Sequence, residues 1–230
     1  MKYAIPLTLG FMCGAMLLAL GLYYNPFVGQ PTITPLAMSD DRIIQLTFSA
    51  VPSDAILYTD QGETIITPHP DRVAELWEPA IADTRVLVTM LQNSTGNTAG
   101  LGIKMLSESE ATDVIRGEAI ANSIWHIYLP GLGTMLVDQS ENYWSYIRDV
   151  VIPAHWNSAD NWRGTFHHIT TNGPGSLGTA RVTGGSGLLA GMTSESVEAL
   201  TAIGYSAVSG PVSMDGSLTI AIPEESTAQQ

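Results

Sequence analysis

The chain has 230 residues, a formal net charge of −13 and only 13% charged residues. All 22 acidic residues, and all of the nine basic ones except Lys2, lie beyond an uncharged N-terminal run. A polypeptide this acidic, with isolated arginines and lysine only at Lys2 and Lys104, repels nucleic acid and anionic headgroups, so no nucleic-acid partner is expected.

Residues 3–28 carry no charged side chain. A bilayer core of about 30 Å takes roughly 20 apolar residues as helix, and residues 3–24 supply that length. The run ends in Leu22-Tyr23-Tyr24-Asn25-Pro26, bulky where a signal peptidase needs small residues. An uncleaved transmembrane anchor over residues 1–24 is therefore favoured over a cleaved signal, with the lipid bilayer as its partner through residues 3–24. Lys2 is the only basic side chain before Arg42, which predicts a cytoplasmic N-terminus and an exported domain. Cys13, the single cysteine, falls inside the run, so the rest has no thiol or disulfide chemistry. These features together predict a single-pass protein of the inner membrane with its domain in the periplasm.

Residues 25–39 hold three prolines and no charge, the composition of an extended linker. A domain over residues 40–222 follows, then a polar tail over 223–230 expected to be disordered. Ile43–Ser49 alternates apolar and polar residues at strand period. Ala55–Thr59 and Glu63–Thr67 flank Asp60-Gln61-Gly62 as a hairpin. Asp71–Ile81 has Val73, Leu76 and Trp77 at helical spacing. Asp83–Gln92 and Gly100–Leu106 read as paired strands. Ser107-Glu108-Ser109-Glu110 resembles a helix N-cap, with a short helix expected to about Gly117.

Ala121–Leu129 and Thr134–Asp138 are strand-like, and Glu141–Val151 reads as helix. Asn161–Thr171 and Leu177–Thr183 are strands on either side of Asn172-Gly173-Pro174-Gly175. Ser194–Ile203 reads as helix, and Ser217–Ile222 as the last strand. The sum is a mainly β fold: a small antiparallel β-barrel with two or three short helices, plus the N-terminal transmembrane helix.

The glycine cluster Thr183–Met192 has a nucleotide-loop look. Only 39 residues remain after Gly191, too few for the parallel sheet and downstream acid that such a loop needs, so no cofactor is expected. The segment Gly178-Thr-Ala180-Arg-Val182-Thr183-Gly184-Gly185-Ser186-Gly187, followed by Gly191-Met192-Thr193, resembles the glycine-rich hairpin of bacterial relatives of the dirigent and allene-oxide-cyclase β-barrels. The likeness is confined to about residues 177–193. It implies an eight-stranded barrel with a hydrophobic cavity that binds, isomerises or cyclises a lipophilic compound. No catalytic residue carries over through this motif. The pattern expects a further strand where Ser194–Ile203 reads as helix.

Candidate ligand-binding residues come from alternation. Trp162, Phe166 and His168 share one face of their strand, with His167 on the other. Ile124, His126 and Tyr128 share a face of theirs. Should both faces line one interior, His126, Tyr128, Trp162, Phe166 and His168 would give polar spots in an apolar pocket, the usual layout of a small-molecule site. His155, His167 and His168 lack the tight spacing of a zinc site, so no metal is expected. A lipophilic ligand is one expectation. The other is a non-enzymatic accessory subunit with a membrane-protein partner, since no catalytic constellation stands out.

Overall fold

The computed structural model describes residues 4–24, 42–60, 63–66 and 84–222. The linker at 25–39, the helix read at Asp71–Ile81 and the tail at 223–230 lie outside the described residues.

Helix α1 spans Ala4–Tyr23, and its described side chains are exposed except that of Tyr23. Those side chains run unbroken only from residue 6 to 21. No helix among the described residues is long and apolar enough to cross a membrane. At its far end the Tyr23 ring lies 5.8 Å from that of Trp156, and the Tyr23 hydroxyl donates to the Arg148 carbonyl at 3.4 Å.

Eleven strands follow: β1 (Arg42–Ser49), β2 (Leu57–Asp60), β3 (Glu63–Ile66), β4 (Thr84–Asn93), β5 (Thr98–Glu108), β6 (Ile120–Leu129), β7 (Gly133–Asn142), β8 (Asn161–Ile169), β9 (Ala180–Gly184), β10 (Thr193–Ser206) and β11 (Gly210–Ile222). Eight of them close an antiparallel barrel in the order β1-β11-β10-β9-β7-β6-β5-β4. The seam is the pairing of Leu46 and Thr47 in β1 with Asn93 and Gln92 in β4. Closure removes the exposed edges that an open sheet of this size would present. The β2–β3 hairpin extends outward from β4.

β10 is long enough to serve two neighbours. Its first residues pair with β9 and its later ones with β8. The chain leaving β8 completes the wall: Asn142 N–H donates to the Thr170 carbonyl at 2.8 Å, and Thr170 N–H donates to that of Glu198 at 3.0 Å. The glycine cluster forms the β9–β10 connection, where Gly187 and Gly191 take positive φ that a side chain would strain. Leu189, from the same connection, is buried in the barrel core.

Three readings of the sequence are corrected here. The segment read as helix at Ser194–Ile203 is strand β10. Its inward side chains are Ser196, Glu198, Leu200 and Ala202, so polar interior positions hide the alternation that would mark a strand. After Ser107, β5 continues to Glu108, and only a 3₁₀ turn, Val114–Arg116, forms. Asp113 caps that turn by accepting from Ile115 N–H at 3.0 Å, and Gly117 closes it in the left-handed region. Glu141 belongs to β7, so the helical segment starts later than read. It comprises α2 (Trp144–Tyr146), a π-helical turn (Ile147–Val151) and α3 (Ile152–Trp156).

The interior divides in two. Towards the β9–β10 connection, Leu46, Leu91, Trp125, Ile127, Met135, Val137, Val182, Leu218 and Ile220 fill the barrel. Towards the helical segment it is not filled.

Candidate functional site

A cavity of about 630 Å³ occupies that second half. Leu87 in β4, Leu106 in β5, Ile120 and Ala121 in β6, Leu200 in β10 and Met214 in β11 give it apolar walls. Tyr146, Ile147 and Val151 of the helical segment also line it. The size and apolar lining are those of a site for a small organic molecule.

Its floor is charged. Lys104 of β5 donates from Nζ to Glu141 Oε1 of β7 at 2.9 Å and to Glu198 Oε1 of β10 at 2.7 Å. Both carboxylates are fully buried and Lys104 nearly so. Lys104 and Glu198 line the cavity, while Trp125 beneath them belongs to the packed core. The ion cluster is thus the partition between the two halves.

Neighbouring groups hold it in place. Trp125 Nε1–H donates to Glu198 Oε2 at 2.8 Å, and Gln139 Nε2–H donates to the same oxygen. Thr171 Oγ1 accepts from Glu198 N–H at 2.7 Å and donates to Gln139 Oε1 at 3.1 Å. The Tyr143 hydroxyl donates to Glu141 Oε1 at 2.9 Å. The Lys104 ammonium sits 5.5 Å from the Trp125 ring centre, within cation–π range. Gly102 makes room for this indole: a Cβ there would lie 2.7 Å from it.

Two carboxylates around one ammonium leave a negative charge in excess. Burial raises the Glu198 pKa, the Glu141 charge raises it further, and Lys104 and its hydrogen bonds work against both. Burial alone would discharge Lys104, but the two carboxylates outweigh it and hold its pKa above the ordinary range. Burial, then the same carboxylates, push the Tyr143 hydroxyl well up, so it stays a donor. Glu141 Oε2 and the Tyr146 hydroxyl are buried and have no hydrogen-bond partner among the described residues. Tyr146 is a cavity residue and Glu141 is not.

The five residues expected from alternation lie elsewhere. In β6 the inward positions are Ser123, Trp125, Ile127 and Leu129, so His126 and Tyr128 face outward and are exposed. A period of two fixes which residues share a face but not which face is inside, and the larger apolar set won. Trp162 and Phe166 pack with Val51, Val150, Leu200, Ala202 and Met214 in a second apolar cluster. His168 Nε2–H donates to the Asn142 carbonyl at 2.8 Å, and burial lowers its pKa. None of the five lines the cavity, and His126 is not brought to His168.

The residues that do build the floor, Lys104, Glu141 and Glu198, escape a reading of patterns. One signal points to Lys104: it is the only lysine beyond residue 2, and it interrupts the otherwise apolar run of residues 99–106. No protein-family model matches this chain, and no curated protein matches it.

Proposed function

We propose that this chain is a membrane-anchored envelope protein whose barrel binds a lipophilic small molecule. The observation that carries this reading is the apolar cavity over a charged, hydrogen-bonded floor. A barrel interior with no ligand to hold is normally packed to the density of an organic crystal, and here one half is packed and the other is not. The likeness of the glycine hairpin to the dirigent and allene-oxide-cyclase barrels supports the same reading. The anchor rests on the uncharged run of residues 3–24, whose Tyr23 and Tyr24 suit a headgroup layer. Its direction, with the barrel on the periplasmic side, rests on Lys2.

The test is direct. Full-length protein, extracted from membranes into amphipol, is denatured in organic solvent and the extract analysed by mass spectrometry. A lipophile at near one per chain is expected, and Ala121→Phe, which fills the cavity from its wall, should lower that yield several-fold. A wild-type protein that carries nothing, or a yield unchanged in the variant, would oppose the proposal.

A second reading, an accessory subunit of a membrane complex, has its own observation. The outward side chains of β4 to β7 include Val88, Met90, Ile103, Met105, Ile124 and Leu136, with His126 and Tyr128 among them. Two registered rows of that face, Met90–Leu101–Tyr128–Thr134 and Val88–Ile103–His126–Leu136, hold no charge, and the next, Val86–Met105–Ile124, meets one only at Asp138 in β7. Met105 is 42% exposed and Tyr128 50%. Contiguous apolar surface of this kind marks contact sites. A photo-crosslinking residue at Met105 should capture one membrane protein; a full-length chain that crosslinks to nothing would count against this reading.

A further inference from the structure

We propose that the cavity takes a neutral amphiphile, an apolar chain or ring system that ends in one hydrogen-bond-accepting oxygen such as that of an alcohol or a ketone. This rests on the ligand-binding reading above and names the class of ligand.

Size comes from the volume. A cavity of about 630 Å³ lies within the range of sites that take a small organic molecule. The polarity of the ligand end follows from counting donors and acceptors. Lys104 has three N–H groups, and two are spent on Glu141 and Glu198. The third remains at a cavity-lining atom group. The Tyr146 hydroxyl is a second donor on the cavity wall, buried and without a partner among the described residues. Both oxygens of the buried Glu198 are engaged: Oε1 receives Lys104, and Oε2 receives Trp125 and Gln139. Glu141 lies behind the lining, so its spare oxygen does not reach the cavity. Unspent buried donors beside engaged buried carboxylate oxygens favour a ligand that accepts.

Charge removes the alternatives. A carboxylate or phosphate would be desolvated beside Glu198 in the floor, with Glu141 behind it, and Lys104 is already shared between those two. An ammonium would meet Lys104, with Arg85 also on the wall, while the buried Glu198 oxygens are engaged and the other lining carboxylate, Glu108, is exposed to solvent. Buried like charges without partners are strongly disfavoured. A neutral oxygen satisfies a donor and adds no charge.

The experiment offers full-length protein in amphipol an equimolar mixture of 1-hexadecanol, hexadecanoic acid and hexadecylamine, and reads the adducts by native mass spectrometry at pH 7. The expected result is a preference for the alcohol by at least about tenfold over each charged probe. Glu198→Gln removes the carboxyl group that lines the cavity floor and should raise the acid adduct by about tenfold while leaving the amine adduct low. The wild-type protein alone gives a parallel readout: acid binding should climb as the pH is lowered and the probe becomes neutral, while alcohol binding holds steady. Equal or stronger binding of the acid or the amine at pH 7 would overturn the ligand class and leave the binding reading intact. No adduct from any probe, with a cavity that yields no lipophile on extraction, would overturn both.

Discussion

Lys104 is the residue whose loss the protein should tolerate least. Without it, Glu141 and Glu198 face each other in the barrel interior without the ammonium that bridges them. Removing one partner of a buried ion cluster typically costs about 3–5 kcal/mol, because the remaining charge is stranded. Lys104→Met should therefore lower unfolding stability by that order in urea titrations followed by tryptophan fluorescence. Combining it with Glu141→Gln and Glu198→Gln should restore most of the loss; a triple variant no better than the single one would mean that packing, and not charge, is at stake. His168 gives a pH test with a definite sign. Burial lowers its pKa in the folded chain, while the unfolded chain keeps an ordinary value near ~6.5. As pH falls through that value the unfolded state takes up the proton first, so stability drops towards the lowered folded value. His168→Gln should flatten the decline of Tm between pH 7 and 5, and a decline of unchanged slope would assign the effect to other groups.

At the level of elements, β5 and β10 position the floor. β5 presents Gly100, Gly102, Lys104 and Leu106 inward, and the missing side chain at Gly102 is what lets Trp125 lie flat enough to reach Glu198. Gly102→Ala would push a methyl to 2.7 Å from the indole. Overpacking of this kind costs typically about 1–3 kcal/mol. The variant should be destabilised within that range and should show an altered near-UV circular dichroism band, since the indole must shift; an unchanged spectrum with unchanged stability would show that the core yields freely. β10 divides its length between β9 and the β8 wall, and so brings Glu198 opposite Thr171. The helical segment 144–156 lines the cavity with one face and meets Tyr23 with Trp156 and Arg148. It links the chain's uncharged N-terminal helix to the cavity end of the barrel.

For the whole molecule, the decisive question is attachment. If residues 3–24 span a bilayer, the full-length chain should stay with the membrane pellet after an alkaline carbonate wash. A chain starting at residue 25 behind a cleavable export signal should then be recovered in the soluble periplasmic fraction. Release of the full-length chain by carbonate would remove the anchor. The acidic surface bears on the same question: a net charge of −13 opposes adsorption to anionic lipid, so retention by surface charge alone is not an alternative.

Much of the architecture is legible in the chain itself. Alternation marks β1, β4, β5, β6 and β8, and the glycine cluster marks the β9–β10 turn, because side-chain period and left-handed backbone are local properties. The acidic composition gives the expectation of no nucleic-acid partner. β10 is not legible in this way, since Ser196 and Glu198 occupy interior positions and polar residues there erase the period. Nor is the inward face of β6, where both faces carry large apolar side chains and only closure of the barrel selects Trp125 over His126. The charged floor is the least local feature of all. Lys104, Glu141 and Glu198 lie on three strands far apart in sequence, and each reads alone as a surface residue. Barrel closure sets them within hydrogen-bond distance, and burial then turns ordinary side chains into a fixed, low-dielectric ion cluster whose spare donors face a cavity.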